Sequence, residues 1–175
     1  MITTRVRIAA AALVIVALPS LTACWSGKDA TTNVQATMNS GNGVHQDVGD
    51  VDVENATIVL GPEGSKTATL LAAFVDVTGT GDRLVGVKIN GKPAAIFVDG
   101  KPATSVEIKP NSTVKLGWEA TTMVNAYEFE AAPSAYVPVE FTFEKSGIGT
   151  LSLLTVPAVG QYEGIVPTPP TPIVG

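Results

Sequence analysis

Tyr136-Val137-Pro138-Val139-Glu140-Phe141-Thr142-Phe143-Glu144 decides the fold. Valines and phenylalanines alternate with polar residues at a period of two, which sends one set of side chains to a core and the other to water. A helix would need a period near 3.6, and this stretch has none. Ala131-Ala132-Pro133-Ser134 breaks the chain before it, and Ser146-Gly147-Ile148-Gly149 turns it afterwards. Thr150 to Val156 then supplies an apolar partner strand. A hairpin of half-buried strands is the unit the rest of the chain has to cover.

Working back towards the N-terminus, the same grammar repeats. Val48 to Glu54 alternates and Ile58-Val59-Leu60 continues apolar, ending at the turn Gly61-Pro62-Glu63-Gly64. Ala68 to Val77 is a longer apolar run, and its exit through Val75-Asp76-Val77 into Thr78-Gly79-Thr80-Gly81-Asp82 favours a central strand over a helix. Leu84 to Ile89, Ala94 to Val98, Ser105 to Ile108 and Thr113 to Trp118 are further strands. Asn90-Gly91 and Asp99-Gly100 are tight-hairpin signals, because these residues tolerate positive φ. Lys109-Pro110-Asn111-Ser112 is a turn, and Glu119 to Glu130 follows no clear period. Seven to nine strands with turns every ~8–12 residues and no amphipathic helix predict an all-β chain, an antiparallel β-sandwich over residues 47–158.

The flanks differ in kind. Arg5 and Arg7 precede an unbroken apolar run from Ile8 to Leu18, which Pro19 and Ser20 end. The run is shorter than the ~20 residues a membrane-spanning helix needs. Basic residues, a short apolar stretch and small residues before a cut make a signal peptide over residues 1–23. Leu21-Thr22-Ala23-Cys24 resembles the bacterial lipobox. The resemblance implies cleavage before Cys24 and a diacylglycerol on its thiol, hence an extracytoplasmic protein held to the cell membrane by lipid. Two or more acyl chains anchor stably where one binds only marginally. Residues 24–46, rich in Ser, Thr, Asn and Gly, read as a flexible linker with a reach of ~25 Å, with His45 at its end. Residues 159–175, with Pro167-Thr168-Pro169-Pro170-Thr171-Pro172, read as an extended, disordered tail.

Charge narrows the function. Cys24 is preceded by no acidic residue and by two of the eleven basic ones, so after it nine Lys and Arg face sixteen Asp and Glu. That balance argues against nucleic acid, whose phosphates want clustered Lys and Arg, and leaves no polybasic patch for anionic lipid. Membrane attachment falls to the lipid itself. Cys24 is the only cysteine, so no disulfide supports the fold and the core must.

Several pieces, in order, carry a family likeness. Asp82-Arg83-Leu84-Val85-Gly86-Val87 follows the long apolar strand, then come Val106-Glu107-Ile108-Lys109-Pro110 and Val114-Lys115-Leu116, and finally Val137 to Gly147. Together they resemble the periplasmic copper chaperones of the PCu(A)C type (DUF461), and more closely their actinobacterial branch, the LpqE-like lipoproteins. The resemblance covers about Asp47 to Pro157 and implies a cupredoxin-like, immunoglobulin-like sandwich. Copper-binding members carry an early His, a Met, and a late His-x-Met, soft ligands suited to Cu(I). Here the late pair falls at Thr121-Thr122-Met123, with Thr121 in the place of the His. The early His falls around Phe97-Val98, where neither side chain is a ligand. The expectation is therefore no metal site and no cofactor, with weak copper binding at most.

Other constellations are read as structure. Asp50, Asp52 and Glu54 lie on one strand face with Asp47 nearby, and a solvated face is expected rather than a calcium loop. Gly79-Thr80-Gly81 precedes a strand, so it lacks the helix N-terminus a phosphate loop uses. Asp82-Arg83 is expected to secure its turn, and Trp118, Tyr127 and Tyr136 to pack at core or edge. A nucleophile, a base and an orienter are not assembled by any spacing here, so the chain is expected not to be an enzyme. The expected function is an envelope lipoprotein whose sandwich binds an unidentified protein or envelope partner, or is structural. The alternative is a copper-handling chaperone with a degenerate site drawn from Met123, Met38 and His45.

Overall fold

The computed structural model describes residues 43–165 and Pro167. Twelve strands follow in order: β1 (Val44–Val48), β2 (Val51–Leu60), β3 (Thr67–Asp76), β4 (Asp82–Ile89), β5 (Lys92–Pro93), β6 (Ala95–Val98), β7 (Lys101–Ala103), β8 (Val106–Ile108), β9 (Thr113–Leu116), β10 (Thr122–Tyr127), β11 (Tyr136–Phe143) and β12 (Gly147–Pro157). The fold is all-β, as expected. The sheet runs β5-β4-β11-β12-β2-β3-β9-β10-β6-β7 and curls on itself. β12 makes the curl: Gly147 to Leu154 pair with β11, whereas Thr155 to Pro157 pair in parallel with β2. β9 also meets β10 in parallel at Leu116 and Thr122; the other ladders are antiparallel.

Alternation in β11 works as read: Val137, Val139, Phe141 and Phe143 are buried, while Tyr136 and Pro138 are exposed. Phe74 of β3 comes from the opposite face and stands edge-on to Phe141 and Phe143, with centroids 5.6 and 5.4 Å away. Burying a side chain of this size is worth about 1.5–3 kcal/mol, and edge-to-face pairing adds ~0.5–1.5 kcal/mol. Asn90-Gly91 and Asp99-Gly100 turn with φ of 52° and 77°, and of 50° and 73°. Positive φ at both central residues is the hairpin geometry these dipeptides favour.

Four readings change. The alternating run from Val48 to Glu54 is interrupted: Val48 faces Val51 across a tight turn at Gly49-Asp50. Gly49 has φ of 59°, and a β-carbon there would lie 2.7 Å from Ser146 Cβ. Asp50 is therefore a turn residue and does not share a face with Asp52 and Glu54. His45 belongs to β1, inside the sheet rather than in a linker, because Val44 and Val48 both pack against the core. At the other end, a 3₁₀ turn at Gly160–Tyr162 follows β12, and Tyr162 and Ile165 cover Val59, Leu71 and Val156. β2 and β3 are apolar on both faces, and this segment shields the outer one. Lastly, β5 and β7 are two or three residues long, too short for a period to declare itself, and β10 lies in the stretch that showed none, whereas the strand expected at Ser105 to Ile108 is present as β8.

Candidate functional site

The first place to look is where the family likeness puts its ligands. Register sets Met123 of β10 directly opposite Phe97 of β6, and Thr122 opposite Val98. The two matched positions are thus brought together. What meets there is one thioether, one phenyl ring and one isopropyl group, with Thr121 alongside accepting the Asp99 N–H at 2.9 Å through its carbonyl. Phe97, Val98 and Met123 are half-buried. A lone thioether is a poor copper site by chemistry. Met38, Cys24 and the signal peptide lie outside the described residues.

The second place is the β1–β2 hairpin. Two residues of β2, Glu54 and Asn55, oppose the single His45 of β1, between the pairs Val44–Ala56 and Gln46–Val53. This is a bulge, and Asn55 sits at its left-handed corner with φ of 53°. It turns Glu54 towards His45. Gly43 is required beside it, since a β-carbon there would fall 2.6 Å from Asn55 Cα. His45 Nδ1 lies 3.3 Å from Asp52 Oδ1, and Nε2 lies 4.0 Å from Asp47 Oδ1. Ligand atoms of His45, Asp52 and Glu54 all fall within 4.8 Å of one another. Asp52 is not the solvated side chain expected: it is 15% exposed, and its Oδ1 is buried with no hydrogen-bond partner among the described residues. Burial raises its carboxyl above the ordinary value, His45 counters this, and Asp47 and Glu54 add to the rise.

Other carboxylates are structural. Asp82 Oδ1 accepts the Arg83 and Lys145 amides at 2.6 and 2.9 Å, and Oδ2 accepts the Ser146 amide at 2.9 Å. Burial would raise its pKa, but hydrogen bonds from the Ser146 side chain and these amides hold it below the ordinary value. Asp82 thus secures its turn, as expected, and Arg83 pairs with Glu144 at 3.6 Å. Asp76 accepts the Asn111 amide at 2.8 Å, and that bond leads the set lowering its pKa. The Thr80 and Gly81 carbonyls receive the Lys145 ammonium at 2.9 and 2.7 Å. That loop therefore presents acceptors to a cation, the reverse of a phosphate cradle.

Of the aromatics, Trp118 is 53% exposed and lines a groove of about 490 Å³ with Leu71, Lys115, Glu119 and Tyr162. Tyr136 is 68% exposed and Tyr127 half-buried, so none of the three is a core residue. The hairpin cluster was missed in the sequence because the bulge at Glu54-Asn55 and the turn at Gly49 are invisible to a period-two count; the pairing of His45 with acidic residues two apart was the available signal.

The fold is an all-β sheet curled on itself, consistent with the cupredoxin-like class. It is similar to the copper-bound PCuAC domain from PmoF2, at 20% identity and a TM-score of 0.58, over 65% of this chain and 97% of that one. The apo PCuAC domain from PmoF1 is similar at 23% identity and a TM-score of 0.57, over 63% and 97%. No protein-family model and no curated protein matches the chain. The likeness establishes the PCuAC-like fold.

Proposed function

We propose that this is a non-enzymatic envelope lipoprotein, anchored through lipid on Cys24, whose PCuAC-like sandwich serves as a binding module outside the cytoplasm. In this reading it is a diverged relative of the LpqE-like lipoproteins that has lost the Cu(I) site. The observation that carries it is the register of β6 against β10: the positions meet, yet hold Phe97, Val98, Thr121 and a single ligand, Met123. Competition with a chromogenic Cu(I) chelator tests the loss. Little or no Cu(I) retained by the protein is the expected result; a tight stoichiometric site abolished by Met123→Ala would overturn it. For the anchor, cells fed a fatty-acid analogue should label the parent and not Cys24→Ala, and label on the variant would remove lipidation from the proposal.

Copper handling is the second reading, favoured by the copper-bound neighbour. Its ligands would be Met123, Met38 and His45. β1 and β10 are separated by β2 and β3, three inter-strand spacings or about 14 Å along the sheet. That reading therefore calls for an approach of His45 to Met123 which the chelator competition, repeated on His45→Ala, would detect.

A further inference from the structure

We propose that the β1–β2 hairpin is a site for a divalent first-row transition ion, Zn²⁺ or Cu²⁺, ligated by His45 Nδ1 and the carboxylates of Asp52 and Glu54. It is separate from the β6–β10 position.

Spacing is the first argument. In a tetrahedral site with ligand bonds of ~2.0–2.1 Å, ligand atoms lie about 3.3 Å apart. His45 Nδ1 and Asp52 Oδ1 are already 3.3 Å apart. The Glu54 carboxylate completes a set within 4.8 Å, and a rotation of its long side chain closes the remaining gap. The fold aims these groups: Asp52 and Glu54 are two apart on one strand and so share a face, while the bulge sets Glu54 across from His45.

Charge is the second. Asp47 and Asp52 are direct cross-strand partners, and like charges in that position are destabilising. Asp52 and Glu54 are both half-buried. Among the described residues, no Lys or Arg pairs with these carboxylates, and the basic side chain beside them is the His45 imidazole. The hairpin therefore gathers more negative charge than its own residues balance. Asp52 Oδ1 is buried and makes no hydrogen bond among the described residues; its close contact is the His45 imidazole at 3.3 Å, and a cation held between the two would satisfy it.

Ligand type selects the ion. One imidazole with carboxylates suits Zn²⁺ and Cu²⁺, whereas Cu(I) wants thiolate or thioether. Calcium wants six to eight oxygens, and the two carboxylates of the set, Asp52 and Glu54, bring four. His45 is 37% exposed, which leaves an entry route and room for water in the coordination sphere.

The test uses the full chain in detergent, in a Cys24→Ser background so that no thiol competes, stripped of metal and titrated calorimetrically with Zn²⁺ and then Cu²⁺. One ion per chain is expected. Asp52→Asn and His45→Ala should each weaken binding at least tenfold, Glu54→Gln somewhat less, and Met123→Ala not at all. Circular dichroism melts without metal confirm that each variant is folded. Absence of saturable binding, or an Asp52→Asn protein that binds as the parent does, overturns the site. So does Ca²⁺ binding as tightly as Zn²⁺ with no effect of His45→Ala, which would reduce the hairpin to an acidic surface.

Discussion

Asp82 and Asp52 are the same residue type, each largely hidden at the start of a β-strand's pairing, and they are treated in opposite ways. Asp82 is 7% exposed and takes three backbone amides. Asp52 keeps a buried oxygen that makes no hydrogen bond among the described residues, has the His45 imidazole 3.3 Å away, and faces Asp47 across the ladder. The first carboxyl is held below its ordinary pKa, the second above it. A carboxylate saturated by amides is doing the work of a turn; one packed against other carboxylates is unfinished by its own chain. The difference separates structure from candidate function without reference to any relative.

The largest effect expected from that contrast is at Asp82. Asp82→Ala should destabilise the protein by about 3 kcal/mol, since hydrogen bonds to a charged acceptor contribute ~1.5–3 kcal/mol each and do not add fully. Urea unfolding reads this as a lower midpoint at unchanged slope. A loss under ~1 kcal/mol would show that the turn at Glu144 to Ser146 holds without its carboxylate, and the comparison would lose its structural half.

Acid should give the next effect. Asp76 and Asp82 have folded pKa values below their unfolded ones. Each therefore contributes stability that is complete above the ordinary carboxylate range and is lost as pH falls through the folded value. Unfolding midpoints should hold from pH 7 to about 5 and decline below about 4. Asp82→Asn should start lower and decline less steeply. A parallel decline in parent and variant would assign acid sensitivity to other carboxylates.

How much of this was legible depends on the range over which each signal acts. Core strands such as β11 announced themselves because Val137, Val139, Phe141 and Phe143 obey a local period of two. Asn90-Gly91 and Asp99-Gly100 were legible because the required φ belongs to the residues themselves. The positions Phe97 and Met123 were located through family likeness, and sheet register then made them neighbours. The hairpin cluster depended on a two-residue turn inside an apparently continuous strand and on one extra residue in β2. Neither alters composition, and both change which side chains meet. Asp82 could be assigned to its turn, but its amides lie on Lys145 and Ser146, more than sixty residues away, and no local pattern encodes such a contact.

The smallest expected effect is the sharpest test of the contrast. In chelator-containing buffer at neutral pH, Asp52→Asn should leave stability unchanged or raise it by up to about 1 kcal/mol. The substitution keeps the shape and removes one of two opposed charges, a relief of ~0.2–1 kcal/mol. Against that stands the loss of the contact with His45, a partly exposed pair worth ~0–1 kcal/mol. The amide can also donate at this position, where Oδ1 now makes no hydrogen bond among the described residues, because an asparagine carries two donors. Asp47→Asn, at a side chain 78% exposed, removes the same repulsion from the other strand and should move the midpoint less, since charge at an exposed position is better screened. Should Asp52→Asn cost more than ~1.5 kcal/mol without metal, Asp52 would be a structural anchor of the same kind as Asp82. The hairpin would then be complete without a cation, and the argument from its unfinished carboxylate would fail.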